Sequence, residues 1–204
     1  YTTLVALTIL QAQAPEYIIL EVGLGGRLDA TNIIDADIAV ITTVDLDHQA
    51  FLGNDRESIG YEKAGIIRKG KPVVVGDTNP PKSVLEHAKN TESILYCRNT
   101  DFSISDGTTG WQWIGKGIAL RELPEGHIPR DNIATALQVL QLLEYPLSAS
   151  NISKLIKQTK VAGRTEVISR ECDIMLDVGH NPLAARYLAD IVANYPCGNV
   201  YADR

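Results

Sequence analysis

An α/β fold built on a parallel sheet is predicted by three observations. Short apolar runs rich in β-branched residues recur at Tyr17 to Val22, Asp37 to Val44, Lys71 to Gly76 and Ser93 to Cys97, as in strands buried on both faces. Segments with helical spacing of apolar residues lie between runs, and the pattern restarts after Gly163-Arg164.

Taken in order, the opening TTLVALTIL has the character of an apolar helix interior. The spacing of Ile59, Ala64, Ile66 and Ile67 predicts a helix over Asp55 to Lys69, with Asp55 as N-cap and Gly70 as its stop. Val84, Leu85 and Ala88 predict another over Pro80 to Lys89. From Asp101 to Leu123 turn residues crowd the sequence, which predicts a small antiparallel hairpin. Helices are expected over Arg130 to Leu143 and Ser148 to Lys160. The restart supplies a strand (DIMLDV), a loop (GHNP), a helix from Leu183 to Asn194 and the strand-like NVYA. Two domains are expected, residues 1–164 and 165–204. The chain opens without Met and stops in or just after a strand-like segment, so it is read as an internal piece of a longer protein.

The 204 residues are 45% hydrophobic, enough for a substantial core. A net charge of −6 with scattered basic residues argues against nucleic acid as a partner. No apolar run reaches the roughly 20 residues needed to span a bilayer, and the start lacks signal-peptide features, so a cytoplasmic protein is expected. Cys97, Cys172 and Cys197 lack metal-ligand spacing and are read as incidental thiols.

Chemistry-bearing residues cluster where apolar runs end. Glu21 closes one run and is followed by Gly23, Gly25 and Gly26, so a carboxylate meets backbone free to turn. His48, flanked by Asp45 and Asp47, follows the next, and adjacent parallel strands would bring it near Glu21. A carboxylate and an imidazole can share a divalent cation. The glycine run fails the dinucleotide fingerprint because Leu28 occupies its last glycine position. A GxxxxGK match from Gly65 to Lys71 is rejected, because it is followed by Pro72 and leads from helix to strand. Lys63 alone reads as a solvated surface lysine. Asp177, His180 and Asn181 lie at another strand end, with Pro182 opening a helix.

LEVGLGGRLDATN (Leu20 to Asn32), LDH (Leu46 to His48), DRESIGYEKAGI (Asp55 to Ile66), Gly163-Arg164 and DVGHNP (Asp177 to Pro182), in this order, resemble the folylpolyglutamate synthase/dihydrofolate synthase family, part of the wider Mur ligase group. The resemblance implies a central P-loop-type ATPase domain over 1–164, lacking its N-terminal part, and the start of a Rossmann-like C-terminal domain over 165–204. It implies Mg²⁺, expected as two ions, at Glu21, His48 and a carbamylated Lys63. It places Leu28, Asp29 and Ala30 at the pterin site. It puts Asn132, Arg164 and Asp177 at ATP, and His180 beside the nucleotide or the incoming glutamate. RDNIATAL keeps only part of the family's pattern around Asn132, and Gly179 replaces a common alanine. The implied reaction joins L-glutamate to dihydropteroate or folate polyglutamates at the expense of ATP, in a monomer, with the family's P-loop expected upstream of residue 1 and the piece alone expected to be inactive. Two alternatives stand beside it: a Mur-type ligase acting on a peptidoglycan precursor, and a nucleotide-binding module without catalysis.

Overall fold

The computed structural model describes residues 1–169 and 173–195. Cys172, Cys197 and the expected NVYA strand lie outside the described residues. The chain divides into two compact units, one of residues 1–44 and 48–97, the other of residues 45–47 and 98–204.

The first unit opens with helix α1 (Thr2–Gln13), none of whose residues is buried. Its sheet has three parallel strands in the order β1 (Ala39–Ile41), β2 (Pro72–Val75), β3 (Ile94–Cys97). Val40 pairs with Val74, and Val74 with Tyr96. Three α-helices and a short 3-10 helix (Ala30–Ile33) complete the unit, the α-helices being α2 (Gln49–Leu52), α3 (Arg56–Ala64) and α4 (Lys82–Asn90). Val73, Val74 and Val75 are fully buried, and Ile59, Ala64 and Val84 fill the core with them. This is the alternation of strand and helix that the β-branched runs predict.

Two expectations are corrected here. Tyr17 to Val22 is irregular, and Ile19 is 95% exposed. The composition of that run favours a strand, but a strand exists only through ladder pairing, and no described residue pairs with it. The second is the helix expected to run to Lys69, which stops at Ala64. Asp55 does cap it, accepting from the Ser58 amide at 2.7 Å, but Gly65 rather than Gly70 closes it. A Cβ on Gly65 would collide with Arg27, so the helix ends where the preceding glycine turn docks.

The second unit holds an antiparallel sheet of β4 (Ser103–Asp106), β5 (Trp111–Gly115) and β6 (Ile118–Leu123), one strand more than the hairpin expected. Trp111 and Trp113 are fully buried, and their indole N–H groups donate to Pro124 O and Ala134 O. Helices α5 (Arg130–Leu142) and α6 (Ala149–Gln158) follow, the latter capped by Ser148. β7 (Glu166–Ser169) pairs antiparallel with β8 (Asp173–Leu176), and α7 (Pro182–Ala193) starts from an Asn181 cap that accepts from Ala184 N at 2.9 Å. No helix is long and apolar enough to cross a membrane, among the described residues.

Candidate functional site

In the first unit the glycine turn after Glu21 is folded by one side chain. Asp29 Oδ2 accepts from the Gly23 and Leu24 amides at 3.0 and 3.3 Å, while Oδ1 accepts from the amide and hydroxyl of Thr31 at 2.8 and 2.7 Å. These bonds favour the ionised form and hold the Asp29 carboxyl below the usual carboxylate range, the Thr31 hydroxyl contributing most.

The turn docks on two helices. A Cβ on Gly26 would lie 2.9 Å from Glu62 O and 3.1 Å from Lys63 O, so the absence of a side chain lets the turn touch the last turn of α3. Arg27 N donates to Glu62 O at 2.8 Å, and the Arg27 guanidinium grips the Glu62 carboxylate through Nε and Nη2, at 3.1 and 2.9 Å to Oε1. Gly25, at φ 68°, faces α2: a Cβ there would lie 2.9 Å from Leu52 Cδ2. Glu21, His48 and Lys63 thus belong to three segments stitched together by the glycine turn. Adjacent strands do not bring Glu21 to His48, since Glu21 lies in irregular chain.

His48 opens α2 with φ 46° and ψ 41°, a left-handed conformation that a β-carbon disfavours. It is exposed, as is Glu21, whereas Lys63 is half-buried on α3.

Between turn and helices lies a cavity of about 380 Å³. Leu28, Asp29 and Ala30 line it, as do Leu24 and Arg27 from the same turn, Phe51 and Leu52 from α2, and Glu62 from α3. Phe51 is 76% exposed, an aromatic surface at the mouth of a cleft. The walls are apolar and aromatic with a few fixed polar groups, the usual character of a small-molecule site.

The second unit gathers Arg164, Asp177 and His180. Asp177 accepts from the Thr165 amide at 2.8 Å and the Gly179 amide at 2.6 Å, and Arg164 Nη1 stands 4.0 Å from it. His180 Nδ1 lies 3.0 Å from Val178 O, and its Nε2 is 4.0 Å from Asp47, which also accepts from Asn181 Nδ2 at 2.9 Å. Asn132 lies exposed in the first turn of α5, just after two anchored residues. Arg130 pairs with Asp106 and Glu125, and Asp131 with the buried Arg98 at 2.7 Å.

No family model matches the chain. Curated relatives do. It is 42% identical over 188 residues to the dihydrofolate synthase/folylpolyglutamate synthase of Escherichia coli, covering 92% of this chain and 44% of that protein. It is 39% identical over 206 residues to the Haemophilus influenzae protein of the same name, covering 93% and 47%. The chain belongs to the dihydrofolate synthase/folylpolyglutamate synthase family.

Solved family structures superpose closely. The bifunctional Yersinia pestis enzyme complexed with AMPPNP and Mn ion matches at TM-score 0.87 and 46% identity, over 94% of this chain and 47% of that one. Escherichia coli FolC in complex with DHPP and ADP matches at 0.82 and 41%, over 88% and 44%. The chain thus spans just under half the length of these relatives.

The sequence reading missed several members of the cleft in this family member. Phe51 and Leu52 carried a signal, being large apolar residues three and four positions after His48. Glu62 and Arg27 carried none separately, because their pairing spans 35 positions and emerges only when the turn docks on α3.

Proposed function

We propose that the chain forms part of an ATP-dependent ligase that joins L-glutamate to dihydropteroate or folate polyglutamates. The observation carrying this reading is the cleft in which Leu28, Asp29 and Ala30 share walls with Phe51 and the segments bearing Glu21, His48 and Lys63. A flat heteroaromatic ring suits an aromatic and aliphatic slot with two fixed carboxylates, Asp29 and the Arg27-held Glu62. Residues 1–164 would belong to the ATPase domain and 165–204 would open the C-terminal domain; Asn132 and Arg164 of the first, with Asp177 and His180 of the second, would face nucleotide. Relatives solved with AMPPNP, Mn and L-glutamate support a nucleotide, a divalent ion and this amino acid as ligands.

Glu21 and His48 fit a divalent cation as donors, one hard oxygen and one imidazole, both accessible to solvent. A carbamylated Lys63 would add a second carboxylate and room for a second Mg²⁺. When bound, such ions offset phosphate charge. In the reaction the pterin substrate's carboxylate attacks the γ-phosphorus of ATP, releasing ADP and forming an acyl phosphate. The amine of glutamate then displaces phosphate and loses a proton, leaving an amide. The protein's work is to hold these groups in line and exclude water that would hydrolyse the acyl phosphate.

In a polypeptide of the relatives' full length carrying this chain, Lys63→Ala is expected to lower turnover by on the order of 10²–10³. Added bicarbonate should not rescue it, since no amine remains to react with CO₂. Phosphate release is measured with and without glutamate and dihydropteroate. Near-normal rates in the variant remove Lys63 from the mechanism, and release independent of both substrates sinks the ligase reading.

A further inference from the structure

Asp77 is a buried carboxylate that the proposed reaction does not use. It follows Gly76 at the carboxyl end of β2, and its side chain is 4% exposed. Its Oδ2 accepts from Val44 N and from Arg56 Nη2, each at 2.9 Å, and its Oδ1 accepts from Asn79 N at 2.8 Å. Arg56, the first residue of α3, donates through Nε to Val44 O at 2.8 Å and through Nη2 to Asn79 O at 2.9 Å.

Both backbone polar groups of Val44 are therefore held by one ion pair. β1 ends at Ile41, so Val44 has left the ladder, and the last rung there is Gly76 N to Ile41 O at 2.8 Å. A carboxylate and a guanidinium take over the role of the missing rungs. Val44 is itself buried, and four residues later the chain reaches His48 in its left-handed conformation. Asp77 is buried while the Arg56 side chain is 36% exposed, and desolvation of the carboxylate offsets much of the attraction, so the pair is a modest source of stability. What this pair supplies is direction: it fixes where the chain departs from the sheet and ties that point to the first turn of the helix that carries Lys63.

We infer that Arg56 and Asp77 are positioning residues that set the strand end from which His48 is presented to a divalent cation. The inference rests on the reading of His48 as a metal donor. Neither residue touches the cation. They act through Val44 as outer partners act on a ligand, where loss typically weakens metal affinity by about 10- to 100-fold.

The test is Mn²⁺ binding with AMPPNP, followed by the loss of the free-ion EPR signal in the full-length polypeptide, well below the melting temperature of each variant. Asp77→Ala and Arg56→Gln should each weaken Mn²⁺ binding about tenfold. The double variant should be little worse than either, because one network is broken only once. Asp77→Asn, which keeps the shape and an acceptor for Val44 N, should give a smaller loss and serves if the alanine variant does not fold. AMPPNP binding in EDTA should stay unchanged. Variants that melt earlier yet bind Mn²⁺ as tightly as the parent overturn the inference and leave the pair a structural device. His48→Ala separates this failure from that of the underlying reading: Mn²⁺ binding unaffected by that change sinks His48 as a donor, and the inference with it.

Discussion

The cleft beside α3 and the loop around Asp177 are built in opposite ways. The first belongs to a unit with a packed core, in which Ile59, Ala64 and Val73 to Val75 are buried and Gly26 is pressed against helix backbone. The second hangs on polar contacts: Asp177 gathers two amides, and no described residue from 166 to 195 is buried. A cleft whose turn is docked on helix backbone has a fixed floor, while Leu28 and Phe51 in its walls stay 78% and 76% exposed. A loop organised by amides around a single carboxylate has its geometry set locally and little apolar burial behind it.

That contrast can be broken by matched substitutions. Ile59→Ala, in α3, should cost about 2–5 kcal/mol in denaturant unfolding, whereas Ile168→Ala, in the exposed β7, should stay within about 0.5 kcal/mol. Similar losses at both positions would erase the distinction. Gly26→Ala should cost about 1–3 kcal/mol, since its Cβ meets backbone that cannot swing aside, and should loosen binding of the proposed pterin ligand in the same variant. A neutral result in both measurements would mean the turn does not dock as described.

The smallest effect concerns pH. The Asp29 carboxyl is held below its ordinary value by Thr31 and the turn amides, so its folded pKa is depressed. Its contribution is present above the unfolded value, roughly 3.9, and is lost as pH falls through the folded pKa. Asp29→Asn should therefore lower stability at neutral pH and flatten the acid limb of an unfolding profile recorded between about pH 5 and 2. An unchanged acid limb would show that the turn does not depend on this charge.

The sequence made local features legible and left long-range ones dark. The valine run of β2, the Asp55 cap and the α7 start at Asn181-Pro182 could be read because each depends on neighbours within a few positions. The candidate donors are pointed to by the resemblance of several blocks in fixed order and by a strand-end rule that fails at Glu21, which lies in irregular chain. Tyr17 to Val22 misled, since composition reports propensity and pairing decides the outcome. Asp77 was legible in principle, being an acid directly after an apolar run, but only its partners Val44 and Arg56 give it a role. The Arg27 and Glu62 clamp had no local signature at all.

The place of Lys63 on its helix carries a last implication. It lies in the final turn of α3, where aligned peptide dipoles leave partial negative charge, an environment that welcomes a cation and opposes an anion. Converting its ammonium to a carbamate would reverse the sign of the group at a position that disfavours the product. Such a modification would persist only while positive counter-charge is close by, so occupancy by CO₂ and occupancy by divalent ions would rise and fall together.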